Sequence, residues 1–273
     1  MSGNFLKPEN RSIAMNYGKT RLVLCEDDRQ LGKKAAEDVA TVMRDLLGRQ
    51  DRVKMVFAGA KSQQTFLSHL ATEKEIDWSR VFAFNMDEFY EPSMSEEFTV
   101  CHQTRIDLYD LVHPAKCFGP NVAAAAPYDE ANRYDVLLRE QAPIDILCQG
   151  IGVSGHLAFN DPPECRFDDA RWVRVINICE DSKRQIMDDP NFNGFGRCPE
   201  QAITMTIPAL MSAHHRFTMV PYEEKRPILT RLLATEKPTE KLPASILREY
   251  EGNLYIDRES CPTELLNQMD QLQ

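Results

Sequence analysis

No run in this 273-residue chain approaches the roughly 18 to 20 consecutive apolar residues that a membrane span needs, so no membrane partner is expected. The first ten residues, Met1 to Asn10, hold no apolar core of the kind a secretory leader carries, which makes a cytoplasmic location the expectation. Basic charge is short. Lys and Arg number 32 against 42 Asp and Glu, for a net charge of −10. A nucleic-acid partner requires a basic face for its phosphates, so none is expected, whereas a small anion needs only a few local donors and stays open. None of the eight cysteines (Cys25, Cys101, Cys117, Cys148, Cys165, Cys179, Cys198 and Cys261) stands in C-x-x-C spacing. A zinc site and a disulfide scaffold are therefore set aside, and the thiols read as reduced core filler. The chain also lacks a Pro-, Gly- or Ser-rich linker, an internal repeat and a low-complexity tract.

Short apolar runs alternate with segments of helical spacing over nearly the whole length. Arg21–Cys25 and Val53–Phe57 read as strands, and between them Leu31, Ala35, Val39, Val42, Met43, Leu46 and Leu47 keep one helical face behind an Asp27/Asp28 cap. Trp78–Phe84, Ile144–Cys148, Trp172–Ile176, Gln201–Ile207, Arg216–Val220 and Gly252–Ile256 continue the strand series. Helices are expected at 64–70, 100–112, 129–139, 181–187, 221–234 and 262–272. Such alternation specifies an α/β fold, a doubly wound, mostly parallel sheet with helices on both faces in a Rossmann-like three-layer sandwich. Residues 1–18 are polar and punctuated and are expected to form an N-terminal arm; 19–273 are expected to form a single domain.

Three strand-to-helix junctions concentrate small and polar residues. Gly150-Ile-Gly-Val-Ser-Gly-His-Leu-Ala-Phe-Asn-Asp-Pro162 brings three glycines and a histidine to a strand end. It reads either as a tight turn with a backbone-satisfied histidine or as a ligand loop with an acid–base group. Ala58-Gly-Ala-Lys-Ser-Gln63 is either an ordinary turn capped by Ser62 or an anion-binding helix N-terminus. Asn85-Met-Asp-Glu-Phe-Tyr90 places two acids at the end of a buried run, either as solvated loop acids or as paired catalytic carboxyls. Strand ends of one sense share an edge of a parallel sheet, so the three junctions can converge, with Val220–Lys225 adding a lysine at a fourth.

Jointly, Phe84-Asn-Met-Asp-Glu-Phe89 and Gly150–Pro162, supported by Tyr222-Glu-Glu-Lys225, Leu242–Leu247 and Asp257, resemble the glucosamine-6-phosphate deaminase/isomerase family, whose related branch is 6-phosphogluconolactonase. The similarity spans about residues 20 to 270, and Leu157-Ala-Phe-Asn160 is nearer the deaminase branch. The resemblance implies ring opening, proton transfer between C2 and C1, and release of ammonia to leave fructose 6-phosphate, without a metal or organic cofactor. It implies Asp87 as the proton-shuttling base beside Glu88, and His156 as the group handling the ring-oxygen proton. Asp161 stands where the family has a glutamate partner for that histidine. It places phosphate on Gly59, Ala60, Lys61 and Ser62, with Gly152 in the same site, against Lys225, with Arg184 as the second basic residue.

One residue departs from the pattern. Ser154 stands where the family has an aspartate, and a serine hydroxyl cannot stabilise an imidazolium by charge. Three functions therefore follow. The first is an isomerase or deaminase acting on an amino-sugar phosphate, the second a sugar-phosphate lactonase, and the third a phosphosugar-binding protein without catalysis. The partner in each is a small phosphosugar, and assembly into a homo-oligomer is left open.

Overall fold

The computed structural model describes residues 14–270. Eleven strands are formed among them: β1 (Ala14–Tyr17), β2 (Thr20–Cys25), β3 (Val53–Phe57), β4 (Val81–Asn85), β5 (Asp87–Tyr90), β6 (Lys116–Phe118), β7 (Ile146–Gln149), β8 (Val173–Asn177), β9 (Gln201–Met205), β10 (His215–Val220) and β11 (Gly252–Asp257). Eight of them make one sheet in the order β1-β2-β11-β10-β7-β3-β4-β6. All its neighbours run parallel except β1, which pairs antiparallel with β2.

Alternation along the strands divides the core into two. Val56 and Leu147 face one layer with Tyr134, Leu138 and Leu229. Met55, Phe57, Ile146 and Cys148 face the other, against α1 (Asp28–Leu47) and α2 (Lys61–Thr72) through Val39, Met43, Phe66 and Leu70. Helices thus cover both faces, as the buried strand runs require. Asp27 caps α1 as expected, its side chain accepting the Gln30 N–H at 2.7 Å. Residues 100–112 follow a helical path, beginning with α3 (Val100–Thr104) and passing through a π-helical segment at Arg105–Tyr109.

Two expectations are corrected. Residues 14–17 belong to the sheet, not to an arm, because their backbone pairs with β2 across the Gly18 turn; residues 1–13 of that arm lie outside the described residues. The strands near 172–176 and 201–207 do not join the parallel sheet. Instead β5, β9 and β8 form a separate antiparallel sheet, with Asp87 opposite Thr204 and Arg174 opposite Thr204 on the other side. Single-strand periodicity cannot tell two sheets apart, since both present alternating side chains. The terminal helix is described over Thr263–Asp270; positions 271 and 272 of the expected helix lie outside the described residues.

The chain leaves β3 toward β4 and leaves β7 in the opposite direction, toward β10. The crevice between the carboxyl ends of β3 and β7 is therefore the topological switch point, the place where open α/β sheets hold ligands.

Candidate functional site

A cleft enclosing about 700 Å³, part of it open to solvent, lies at that switch point. Four elements feed it. The turn after β3 supplies Gly59, Ala60 and Ser62; β5 supplies Asp87; the loop after β7 supplies Gly152 and His156; and the turn after β10 supplies Lys225. The sequence places all of these at strand ends, and the fold brings them to one cavity.

The small sheet aims the acid. Asp87 and Phe89 lie on the same face of β5 and both line the cleft, whereas Glu88 points to the other face. Asp87 is 8 % exposed and makes no hydrogen bond among the described residues. Burial pushes its carboxyl up to about 8, and the neighbouring Glu88 adds to the rise. Glu88 is not part of the cleft, a correction to its reading as a catalytic partner. Its carboxyl accepts the N–H groups of Phe89 at 2.8 Å, Val100 at 3.0 Å and Cys101 at 2.7 Å, closing the first turn of α3. Burial raises it to about 7 against those hydrogen bonds. Glu88→Gln should cost about 1–3 kcal/mol, because the amide turns one acceptor oxygen into a donor facing the Cys101 N–H. Urea denaturation at mildly alkaline pH measures it; an unchanged midpoint would remove this helix-capping role.

The loop after β7 is held by the same small sheet. The Phe159 N–H donates to Thr204 Oγ1 at 3.0 Å, and Asn160 Nδ2 donates to the Met205 carbonyl at 2.8 Å. His156 folds back over Gly152, where a Cβ would stand 1.9 Å from His156 Nε2, so only glycine fits there. Three oxygens surround His156 Nδ1: Ser154 Oγ at 2.9 Å, Ser182 Oγ at 3.1 Å and Asp161 Oδ1 at 3.2 Å. Both hydroxyls donate to Asp161, Ser154 to Oδ1 at 2.6 Å and Ser182 to Oδ2 at 2.8 Å. Their lone pairs are thereby left to accept, which places the proton on Nδ1 and leaves Nε2 as an acceptor. Burial works to raise Asp161, but His156 and the two hydroxyls outweigh it and hold the carboxyl well below the usual carboxylate range. Ser154 itself does not line the cleft; it acts through the ring and Asp161.

At the opposite end, Ala60 offers α2 no side-chain cap, so the first-turn N–H of Ser62 is open to an anion, while that of Lys61 faces the Asp189 carboxyl. Gly59 lets this turn sit against α3, since a Cβ would meet Thr104 Oγ1 at 2.4 Å. Lys225 is 4 % exposed and lines the cleft, and its ammonium has no hydrogen bond or ion pair among the described residues. Burial drives its ammonium down to about 8, against the pull of Glu224 and Asp189. The turn that carries it is fixed by Tyr222, a non-glycine residue at φ +81°. The Tyr222 N–H donates to Asp257 Oδ2 at 3.1 Å, which is what the acid after the last strand does.

Two expected phosphate contacts are corrected. The Lys61 ammonium lies outside the cleft, 4.9 Å from the centre of the Tyr222 ring. Arg184 is exposed and pairs with Asp181 on the outer face of the helix Glu180–Asp188. Lys183, its neighbour, is held by Glu200 at 2.7 Å. The inner face of that helix presents Ser182, Gln185 and Ile186, and Asp189 follows it into the cleft. Sequence reasoning missed Ser182, Gln185 and Asp189, although their spacing of three, four and seven marks a single helical face.

Residues 26–256 match the family model of glucosamine-6-phosphate isomerases/6-phosphogluconolactonase. The chain belongs to this family. Among curated relatives, a glucosamine-6-phosphate deaminase of Mycoplasmopsis pulmonis is 27 % identical over 199 residues, covering 72 % of this chain and 76 % of the relative. Among solved structures, a monomeric glucosamine-6-phosphate deaminase superposes with a TM-score of 0.77 at 21 % identity, over 88 % of this chain and 98 % of that one. A 6-phosphogluconolactonase from Thermotoga maritima gives 0.70 at 20 % identity, over 87 % and 99 %. Both structures share the fold. The family is thus one of sugar-phosphate isomerases and deaminases with lactonase neighbours.

Proposed function

We propose that the protein is an amino-sugar-phosphate isomerase/deaminase that converts glucosamine 6-phosphate, or a close relative, to fructose 6-phosphate and ammonia. The observation that carries this reading is Asp87, a buried carboxyl with no protein partner, in one cleft with His156 and with an equally unpartnered buried Lys225. The α2 N-terminus and Lys225 take the phosphate. His156 Nε2 accepts the anomeric hydroxyl proton and returns it to the ring oxygen, opening the ring. Asp87 removes the C2 proton and delivers it to C1. The resulting C2 imine adds water and loses ammonia, leaving the ketone. A base raised toward neutrality suits this step, since proton transfer from carbon is most efficient when the base pKa lies near the working pH.

A second reading has support in Ser154, which leaves His156 with a single carboxylate neighbour, Asp161. Activation of water by His156 for lactone hydrolysis requires no C2 proton shuttle. One preparation assayed for ammonia release from glucosamine 6-phosphate and for hydrolysis of 6-phosphogluconolactone separates the readings. Ammonia release supports the first, lactone hydrolysis alone replaces it with the second, and binding with neither turnover leaves a phosphosugar-binding protein.

Ser182 is a positioning residue in this scheme. Its hydroxyl is the only donor to Asp161 Oδ2 among the described residues. Ser182→Ala should lower kcat about tenfold with KM held, and cost about 1–2 kcal/mol of stability. Steady-state kinetics with a denaturant titration checks it. A rise in KM at constant kcat would instead assign Ser182 to substrate binding.

A further inference from the structure

The anion end of the cleft contains an acid. Asp189 lines the same cavity wall as Lys225 and Ser62, directly after the helix that brings Ser182 and Gln185 inward. Its Oδ1 accepts the Asn191 N–H at 2.9 Å. The backbone N–H of Lys61, at the first turn of α2, and the ammonium groups of Lys61 and Lys225 are the other groups acting on its carboxyl. Asp189 therefore faces the same two features, the helix N-terminus and the buried lysine, that the proposed function gives to phosphate. No arginine lines the cleft.

We propose that Asp189 is an affinity-setting residue that competes with the sugar phosphate for Lys225 and the α2 N-terminus, so that phosphate binding is linked to proton uptake at position 189. This rests on the phosphosugar reading of the cleft. A phosphate entering beside an ionised carboxylate meets like charge at short range, and either protonation or outward movement of Asp189 relieves it. Burial already favours the protonated form, against the Asn191 and Lys61 N–H groups and the two lysines. The residue belongs to the segment 189–197, tied to the 91–98 loop by Arg197 with Glu91 at 3.1 Å and by the Phe98–Phe195 ring pair at 6.3 Å. Displacement of Asp189 is thus coupled to the 91–98 loop.

The charged groups facing Asp189 are Lys61 on α2 and Lys225 after β10, with Glu224 beside Lys225 and with His156 and Asp87 across the cleft. Inorganic sulfate is the probe, because its charge is constant while that of phosphate changes. Calorimetric titration of the intact protein as pH is lowered from about 7.5 toward the ordinary carboxylate value near 4 should show sulfate binding tighten about tenfold, because protonation at 189 releases the cationic surface. Asp189→Asn keeps the acceptor for the Asn191 N–H. It should bind sulfate about tenfold more tightly than wild type at the upper pH and with a shallower pH slope, the residual slope being that of Asp87 and Lys225. Lys225→Met should abolish binding in both backgrounds. If Asp189→Asn binds no better than wild type while Lys225→Met still abolishes binding, the role of Asp189 is overturned and the phosphosugar cleft stands. If sulfate and inorganic phosphate bind neither wild type nor Asp189→Asn, both are overturned.

Discussion

Asp87→Asn should lower turnover of the amino-sugar phosphate at least about a thousandfold, as expected for loss of a general base, while leaving KM within a few-fold. The same substitution should stabilise the fold above neutral pH. Asp87 sits with its folded-state pKa raised to about 8, far above the ordinary carboxylate value. A carboxyl raised in this way destabilises the folded state progressively as pH climbs from the unfolded value through about 8, and does nothing below the unfolded value. Asparagine removes that cost, so the gain should be on the order of 1–3 kcal/mol near pH 8 and vanish near pH 4. Thermal melts at the two pH values, beside ammonia-release kinetics, read both effects. Full turnover in the variant would end the assignment of Asp87 as the base; lost turnover with equally lost stability at every pH would make it a structural residue.

Lys225→Met should raise KM for the sugar phosphate about a hundredfold. One charge-assisted contact to phosphate contributes about 1.5–3 kcal/mol, and tenfold in affinity corresponds to about 1.4 kcal/mol. The truncation should again stabilise, with the opposite pH sense. A lysine driven down to about 8 costs stability while the unfolded chain holds its proton and the folded one is reluctant to. That cost is complete below about 8 and fades as pH rises toward the unfolded value near 10.4, so the gain in melting temperature, a few degrees, should be present at neutral pH and absent in strong base. Binding of inorganic phosphate measured by calorimetry supplies the direct check. Undiminished binding would place the anion elsewhere.

The sequence made the large sheet and the four junctions legible because strand-to-helix alternation and clusters of small and polar residues are local signals. Asp87, His156, Ser62 and Lys225 were found this way, and all line one cleft. Glu88 was grouped with Asp87 by adjacency, yet consecutive strand residues point to opposite faces, and its carboxyl closes a helix instead. Arg184 was placed by the family resemblance, but its face of the helix looks outward; the residues three and four positions along from Ser182 were the ones on the inner face. The second sheet was illegible for a different reason. Whether two runs of alternating residues pair with each other or join a third depends on contacts more than a hundred residues apart, as between β5 and β9. The roles of Ser154 and Ser182 share this cause, since their partner Asp161 is fixed only once the loop after β7 is pinned to Thr204 and Met205.

That second sheet has a further consequence. Asp87 sits on β5, and the loop that carries His156 leaves β7 but is pinned to β9, while Ser62 and Lys225 follow β3 and β10 of the larger sheet. The separation between the two ends of the cleft is therefore gauged by how the two sheets pack, not by any one loop. Under the proposed function such a caliper should grip a substrate of one length, so that a phosphosugar shorter by a carbon satisfies either jaw but not both.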